Sequence, residues 1–517
     1  MERLVSLLGI LVLLGIGYAC SAERRKIPWR VVITGTLIQA WIALFLVRPE
    51  WVRVAATLTS ALCLAAFLAP RLLGAYADFG RLVAQGLGVL GGAIVLVEAC
   101  RHFEQPWLTG LAIVGALGVV FLPPRLRAPA LKAAGLMGLL AVPALLWAGS
   151  MAEDFVYRAL SGVADAISWV VGFAKKGSGF VFGGLVRDSP FVFAIDVAAI
   201  LLVFSSLMSV LYYLGLLQRV VGFLGRVLHR GLGVSGAESL ATAANIFVGQ
   251  TEAPLLVRPY LARMTRSEIM ALMTGGFATI AGTVFAIYVG FLESAGLARG
   301  GADLICASVM SAPAAFVFAK LFVPETELAE TREGAEVSRE RIGTSLLDAI
   351  ANGVTAGVRL AVNIGAMILV FVALIAMLDE AVVFVARQVS PGSNLDFGTL
   401  YSYVFSPFAW LMGTPAADCL EVGRLLGTKT IFNEFLAYQD LGRMVKAGEI
   451  STRGAVLSTY ALCGFANFGS IGVQIGGLSA LAPERRADIV RLAFRAMIAG
   501  ALACQLTACI VGVIGGF

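Results

Sequence analysis

The sequence has little charge and almost no histidine. Only 14% of its 517 residues are charged, whereas a soluble domain carries about 25%. Its two histidines, His102 and His229, are too few for a histidine-based metal centre or proton relay. The chain also lacks an HExxH motif and a recognisable nucleophile–base pair. These absences argue against an intramembrane enzyme such as a hydrolase or a lipid transferase.

Cysteine pairs and a nucleic-acid-binding surface are missing as well. The eight cysteines form no CxxC motif, and most lie in apolar runs as small buried hydrophobic residues do. The net charge of +6 comes from basic residues in short loops between apolar runs. Membrane topology produces this distribution, so we expect no nucleic-acid partner.

Apolar runs are what the sequence has in abundance. Hydrophobic residues make up 59% of the chain, and runs of about 20 apolar residues, long enough to cross a bilayer as helices, recur throughout. The basic cluster Arg24-Arg25-Lys26 follows the first run, which favours a true first span over a signal peptide. The sequence predicts an all-α polytopic protein of the cell inner (plasma) membrane, surrounded by membrane lipids.

One polar stretch interrupts this pattern, Asn245-Ile-Phe-Val-Gly-Gln-Thr-Glu-Ala-Pro-Leu255. It contains Gly249 and Pro254, which both break helices. Irregular polar backbone survives inside a membrane only where it lines a cavity. We therefore predict a re-entrant hairpin over about Ser235–Arg263, with its turn near Gly249 and Glu252 close to the tip.

A second half of the chain repeats these features. Another irregular element, predicted over 405–445, carries Glu434, and each element precedes a Gly-rich break within a span. The breaks read Gly276-Phe-Ala-Thr279 and Gly464-Phe-Ala-Asn467. Three predicted spans separate the hairpins, so the halves would enter the membrane from opposite sides. Such paired, interrupted segments indicate an inverted-repeat secondary transporter with discontinuous helices.

The sequence divides into seven predicted segments. They are two N-terminal spans (1–50), about four extra spans of unknown function (51–150), an interfacial helix, a span and a basic cytoplasmic segment (151–230), a first transport repeat (231–323), a cytoplasmic linker (324–344), a long scaffold helix with an interfacial segment (345–400), and a second transport repeat (401–517).

At the hairpins and breaks, the residues resemble the concentrative nucleoside transporter family. The resemblance lies in the stretch after Asn245, in Thr-Ile-Ala-Gly at 279–282, in Asn-Glu-Phe-Leu-Ala-Tyr at 433–438 and in Phe-Ala-Asn-Phe-Gly-Ser at 465–470. It implies a homotrimer, with a scaffold and a mobile transport domain in each protomer, that moves nucleosides by an elevator-like motion. It also implies substrate contacts from Gln250, Thr251, Glu252, Val284, Glu434, Phe465, Asn467 and Ser470. A sodium ion would be held by the side chains of Asn245 and Thr279 and by the carbonyls of Val248 and Ile280.

The chemistry of these residue types agrees with the implied roles. Gln and Glu match the donors and acceptors on a base edge, while a carboxylate with an amide suits the ribose diol. We expect other acids and bases, including Glu98, Asp196, Asp348 and Arg359, to snorkel or to pair near span ends. Sodium-coupled uptake is the leading hypothesis, and a proton-coupled symporter of the same fold is the alternative. A passive channel is disfavoured by the paired breaks.

Overall fold

The computed structural model describes residues 2–47, 151–183, 193–297, 299–335, 343–389 and 395–515. Throughout these ranges the regular elements are helices, as predicted. The four extra spans predicted within 51–150, and Glu98 with them, lie outside the described residues.

The described chain contains eighteen α-helices, numbered here in chain order. They are α1 (Glu2–Ala19), α2 (Trp29–Leu46), α3 (Met151–Phe182), α4 (Phe193–Tyr213), α5 (Leu216–Leu232), α6 (Gly236–Asn245), α7 (Ala253–Leu256), α8 (Arg258–Leu261), α9 (Arg266–Ala278), α10 (Gly282–Ser294), α11 (Gly300–Phe322), α12 (Leu346–Val389), α13 (Phe397–Leu411), α14 (Cys419–Ile431), α15 (Glu434–Ala447), α16 (Thr452–Leu462), α17 (Phe468–Leu481) and α18 (Arg486–Ile514).

Five helical segments among the described residues are long and apolar enough to cross a membrane. One of them, Arg266–Ser294, is the broken pair α9 and α10. Helices α4 and α5 form a sixth span if they are counted as one, although a bend of 76° separates them. These spans agree with the prediction of a polytopic helical membrane protein.

The helices occur twice in the same order. A long helix (α4, α12) is followed by a helix of 15–17 residues (α5, α13), a group of shorter helices (α6–α8, α14–α15), a broken span (α9/α10, α16/α17) and a final long helix (α11, α18). The packing follows this repeat, because α4 packs on α12, α9 on α18 and α16 on α11. The repeat therefore begins earlier in each half than the motifs alone indicate.

In each group of shorter helices, the first residues of the group contact the residues that follow its last helix, so the group forms a hairpin. In the first, the hydroxyl of Ser235, the N-cap of α6, donates to the carboxylate of Glu268 in the first turn of α9. In the second, the carboxylate of Asp418, before α14, accepts from the N–H of Ser451 at 3.2 Å and also from its hydroxyl. Polar side chains at helix caps thus fasten the base of both hairpins.

The first hairpin also holds part of the linker. Thr331 lies in the stretch predicted as a solvated linker, yet its hydroxyl is buried and accepts from the N–H of Ala237 at 3.0 Å. Nearby, the ammonium of the buried Lys320 lies 2.7 Å from the carboxylate of Glu238 and donates to Ser267 at 3.0 Å. The described part of the linker is therefore anchored at the hairpin base.

Two helices differ from their predicted extents. We expected a long helix over 345–378 and an interfacial segment after it, but α12 runs on to Val389, because neither Gly nor Pro occurs between 379 and Val389. We also expected irregular backbone from residue 405, but α13 continues through Pro407 to Leu411. The second hairpin consequently begins at Asp418.

Candidate functional site

The carboxylate of Glu434 is the centre of the second hairpin tip. Glu434 is the first residue of α15, after the N-cap Asn433, whose side chain accepts from the N–H of Leu436 at 2.9 Å. The Glu434 carboxylate accepts from the hydroxyl of Tyr288 at 2.8 Å and from the side-chain amide of Asn467 at 3.0 Å. The residue is only 5% exposed. An acid buried at this depth needs such donors, because unpaired carboxylates are costly to bury.

Tyr288 was not predicted to belong to the site. It lies in α10, is fully buried, and stacks on Tyr438 of α15 with ring centroids 4.5 Å apart. In the sequence it sits within an apolar run, where a tyrosine looks like a core residue. Its hydroxyl nevertheless needs a partner when buried, and this requirement is the only indication that the sequence offers.

One face of α17 carries a line of polar side chains. Asn467 is its N-cap, and the carbonyl oxygen of the Asn467 side chain accepts from the N–H of Ser470 at 2.8 Å. Ser470 and Gln474 follow at helical spacing, and all three residues are buried. From Asn467 to Gln474 the helix rises about 10 Å at 1.5 Å per residue. The line is therefore as long as a small ligand with two distinct polar ends.

The first hairpin reaches the far end of this line. The side-chain amide of Gln474 donates to the carbonyl oxygen of Gln250 at 3.0 Å and to the backbone carbonyl of Met273 at 3.0 Å. Gly276 leaves room for this contact, since a Cβ there would lie 2.7 Å from the Gln474 nitrogen. A Cβ on Gly477 would lie 3.7 Å from the Thr251 methyl group. The structure thus brings Gln250 and Thr251 to α17, and Gln474 is a second residue that the motifs did not indicate.

Glu252 occupies a different environment from Glu434. Its side chain is exposed at the hairpin tip, and a Cβ added to Gly249 would lie 2.6 Å from its carboxylate. Glu252 and Glu434 are thus both at hairpin tips, but Glu434 is buried, whereas Glu252 is exposed beside the Thr251 hydroxyl and the backbone at Gly249. An exposed carboxylate at this position keeps lone pairs that can accept from a ligand.

The two breaks in the spans touch each other. The N–H of Phe465 donates to the carbonyl of Thr279 at 3.3 Å. Gly464 precedes it with φ of 149°, and a Cβ there would lie 2.6 Å from the carbonyl oxygen of Phe277. Only glycine fits both requirements. Phe465 is half-buried and Val284, two residues into α10, is buried, so both predicted contacts lie at the breaks.

Oxygen atoms without partners mark the junction of α6 and α9. Asn245, the last residue of α6, is 1% exposed, and its side-chain oxygen accepts no hydrogen bond from the described residues. The buried hydroxyl of Thr242 has no hydrogen-bond partner among them either. No described donor reaches the carbonyls of Val248 or Ile280. The hydroxyl of Thr279 donates to the carbonyl of Gly275 at 2.8 Å, which leaves the lone pairs of the hydroxyl oxygen available to a ligand.

This donor set fits a small hard cation. It consists of uncharged oxygens, which hard cations prefer, and no described His, Cys, Asp or Glu cluster competes with it. The C-terminal ends of two helices meet there, and their dipoles favour positive charge. The residues predicted to hold sodium are therefore close together and suitable for it.

Comparison with known proteins decides the family. Residues 8–67 match the N-terminal part, and residues 303–512 the C-terminal part, of the Na⁺ dependent nucleoside transporters. Residues 194–295 match a Gate family described as nucleoside recognition. An uncharacterized transporter of Haemophilus influenzae is 43% identical over 366 residues, which cover 69% of this chain and 86% of the relative. The chain belongs to the Na⁺ dependent nucleoside transporter family.

Longer animal relatives and solved structures agree with this assignment. Rat sodium/nucleoside cotransporter 1 is 43% identical over 69% of this chain, although the match spans only 56% of the relative. A structure of CNTnw in an inward-facing substrate-bound state is 34% identical, covers 99% of this chain and 98% of its own, and has a TM-score of 0.73. An outward-facing variant of CNTnw gives 0.72 at 33% identity.

Family membership confirms the resemblance drawn from the hairpin and break motifs. It also confirms a multi-pass membrane transporter rather than an enzyme. Sodium dependence follows from the family, whereas nothing in the comparisons supports proton coupling. The roles of single residues, the assembly and the motion remain predictions.

Proposed function

We propose that the protein imports nucleosides together with sodium, and that one nucleoside lies along α17 between the two hairpin tips. The single observation that supports this most is the polar line from Asn467 to Gln474. One end of the line holds Glu434 and the other holds Gln250, about 10 Å away along the helix. This spacing suits a molecule with a diol at one end and a base edge at the other.

In this proposal Glu434, Asn467 and Ser470 bind the ribose. A buried carboxylate that already accepts from Tyr288 and Asn467 keeps lone pairs for two hydroxyl donors. Such charge-assisted hydrogen bonds are the strong ones in a site that excludes water.

The nucleobase would lie against the first hairpin. Gln250, Thr251 and Glu252 offer an amide, a hydroxyl and an exposed carboxylate, which together supply donors and acceptors for a base edge. Val284 and Phe465, from α10 and from the break before α17, supply apolar contacts on either side.

Sodium is the transported coupling ion in this proposal. Asn245, Thr279 and the carbonyls of Val248 and Ile280 would surround it, and the ion would order the first hairpin tip beside Gln250. Substrate and ion would then raise each other's affinity by the same factor, because coupling free energies are reciprocal.

For the motion we propose an elevator-like displacement of the hairpins and broken spans against a scaffold that contains α4 and α12. The two scaffold helices pack on each other, and three of the spanning segments lie between the hairpins. This odd number supports inverted halves that open to opposite sides of the membrane. We further propose a homotrimer, as the resemblance to the family implies, and α12 exposes large apolar side chains such as Leu369, Met377 and Phe384 that a neighbouring protomer would cover. Native mass spectrometry of the detergent-purified protein should show three chains, and a monomer would contradict this assembly.

Uptake of radiolabelled uridine into proteoliposomes tests the proposed function. We expect accumulation with an inward sodium gradient and none when choline replaces sodium at fixed pH. Glu434→Ala should abolish uptake while the protein still inserts. Glu449→Ala is the matched control, because Glu449 is an exposed acid at the end of the same hairpin and forms a surface ion pair with Arg443. Equal uptake in choline would refute sodium coupling, and normal uptake by Glu434→Ala would refute the ribose role.

A further inference from the structure

The two halves differ in the basic residues at equivalent contacts between helix ends, which are called junctions here. In the first half, α6 ends against the last turn of α9, because a Cβ on Gly275 would lie 3.4 Å from the side-chain amide of Asn245. In the second half, α14 ends against the last turn of α16, where Lys429 reaches the carbonyl of Ala461. Two helix C-termini therefore meet in both places, and each carries a partial negative charge. A junction of this kind favours a cation.

The first junction receives no basic residue from the two helices that form it. Neither α6 nor α9 has a basic residue in its last turn. The oxygens of Asn245 and Thr242 are buried there without partners.

The second junction contains Lys429. This residue lies in the last turn of α14, is 2% exposed, and donates from its ammonium to the carbonyl of Ala461 in the last turn of α16 at 2.9 Å. The acid Glu434 follows in the same hairpin, at its tip. A lysine is rarely buried this deeply unless its charge is compensated, and here the carbonyls at two helix ends compensate it.

We infer that Lys429 is a tethered cation that does for the second hairpin what sodium does for the first. It fastens α14 to the end of α16 and supplies the positive charge beside the hairpin acid Glu434. Lys429 is thus a positioning residue, and the inference rests on the proposed sodium site at Asn245. The ribose half of the nucleoside site would be assembled permanently, whereas the base half would be assembled only when sodium is bound.

Hydrogen–deuterium exchange of the purified protein in nanodiscs tests this difference directly. In the wild type, adding sodium chloride in place of choline chloride should slow exchange in residues 236–261 and leave residues 419–447 unchanged. Equal slowing of both hairpins by sodium would overturn the inference, because the second hairpin would then depend on the ion from solution.

Substitution of the lysine gives an independent test. Lys429→Met should speed exchange in 419–447 with or without sodium, and the sodium effect on 236–261 should persist. The added change Glu434→Gln should restore part of the protection, because it removes the acid that the lysine balances. Unchanged exchange in 419–447 of Lys429→Met would overturn the inference.

A failure of the proposed function would look different. If sodium slowed exchange in neither hairpin, and uridine bound equally in sodium and choline, the sodium site at Asn245 would be wrong. An exchange change in 419–447 of Lys429→Met would still identify Lys429 as the cation of the second hairpin.

Discussion

Removing one hydroxyl group, by Tyr288→Phe, should weaken nucleoside binding while leaving the fold intact. The hydroxyl lies 2.8 Å from the Glu434 carboxylate, and the ring stacks on Tyr438. The substitution keeps the ring and its stacking but deletes one of the described side-chain donors that orient the acid. A hydrogen bond to a charged group contributes about 1.5–3 kcal/mol.

The consequence for affinity can be worked from this figure. If the full contribution acts on the bound state, the dissociation constant for uridine rises about 10- to 150-fold. Part of the cost falls on the unliganded protein, so we expect the lower end, near tenfold. Isothermal titration calorimetry in detergent with saturating sodium measures the change.

Tyr438→Phe is the matched control for this experiment. Tyr438 belongs to the same stacked pair, but its hydroxyl donates to the backbone carbonyl of Thr459 at 2.8 Å rather than to Glu434. Its loss should affect stability more than uridine affinity. The reasoning would be refuted if Tyr288→Phe bound uridine like the wild type, or if both variants lost affinity equally.

Three more substitutions test other parts of the structure. Gln474→Ala should weaken uridine binding about tenfold and leave the binding of ribose in competition assays unaffected, because Gln474 contacts Gln250 and not Glu434. Equal losses of affinity for uridine and ribose would contradict the place of Gln474 at the base end. Thr279→Ala should raise the sodium concentration for half-maximal uptake several-fold. Thr279→Ser should restore the wild-type value, since only the hydroxyl is needed. An unchanged sodium dependence of Thr279→Ala would exclude Thr279 as a ligand. Lys320→Met leaves the carboxylate of Glu238 buried without its cationic partner, which costs about 3–5 kcal/mol. The melting temperature should therefore fall, and adding Glu238→Gln should recover much of the loss. An unaltered melting temperature would show that the buried pair is not stabilising.

The sequence predicted the breaks in the helices well because their chemistry is local. Gly249, Pro254 and the Gly-Phe-Ala breaks interrupt helices wherever they occur, and polar residues within an apolar chain stand out. The structure places the first hairpin between Ser235 and Thr265, close to the predicted limits. Gln250, Glu434 and Asn467 all lie at hairpin tips or breaks.

Contacts between distant segments could not be predicted in the same way. Tyr288 and Glu434 are 146 residues apart, and Gln474 and Gln250 are 224 apart. No motif joins the members of such pairs, and Tyr288 and Gln474 read locally as ordinary buried residues. Lys429 is hidden for the same reason, because a lysine near a helix C-terminus usually indicates a solvated end rather than a buried one.

The boundary of the second hairpin was misplaced for a different reason. Pro407 suggested irregular backbone, but a single proline removes only one donor, and α13 tolerates it. The second hairpin instead starts at Asp418, which accepts a hydrogen bond from Ser451. These two residues are too far apart in the sequence for local patterns to predict the contact.

A map of the protein with sodium and uridine, determined by cryo-electron microscopy in nanodiscs, tests the central claim most directly. The account predicts one nucleoside along α17, with its ribose hydroxyls within hydrogen-bonding distance of Glu434 and Asn467 and its base edge against Gln250. A nucleoside bound elsewhere, or one reversed so that its ribose meets Gln250, would contradict it.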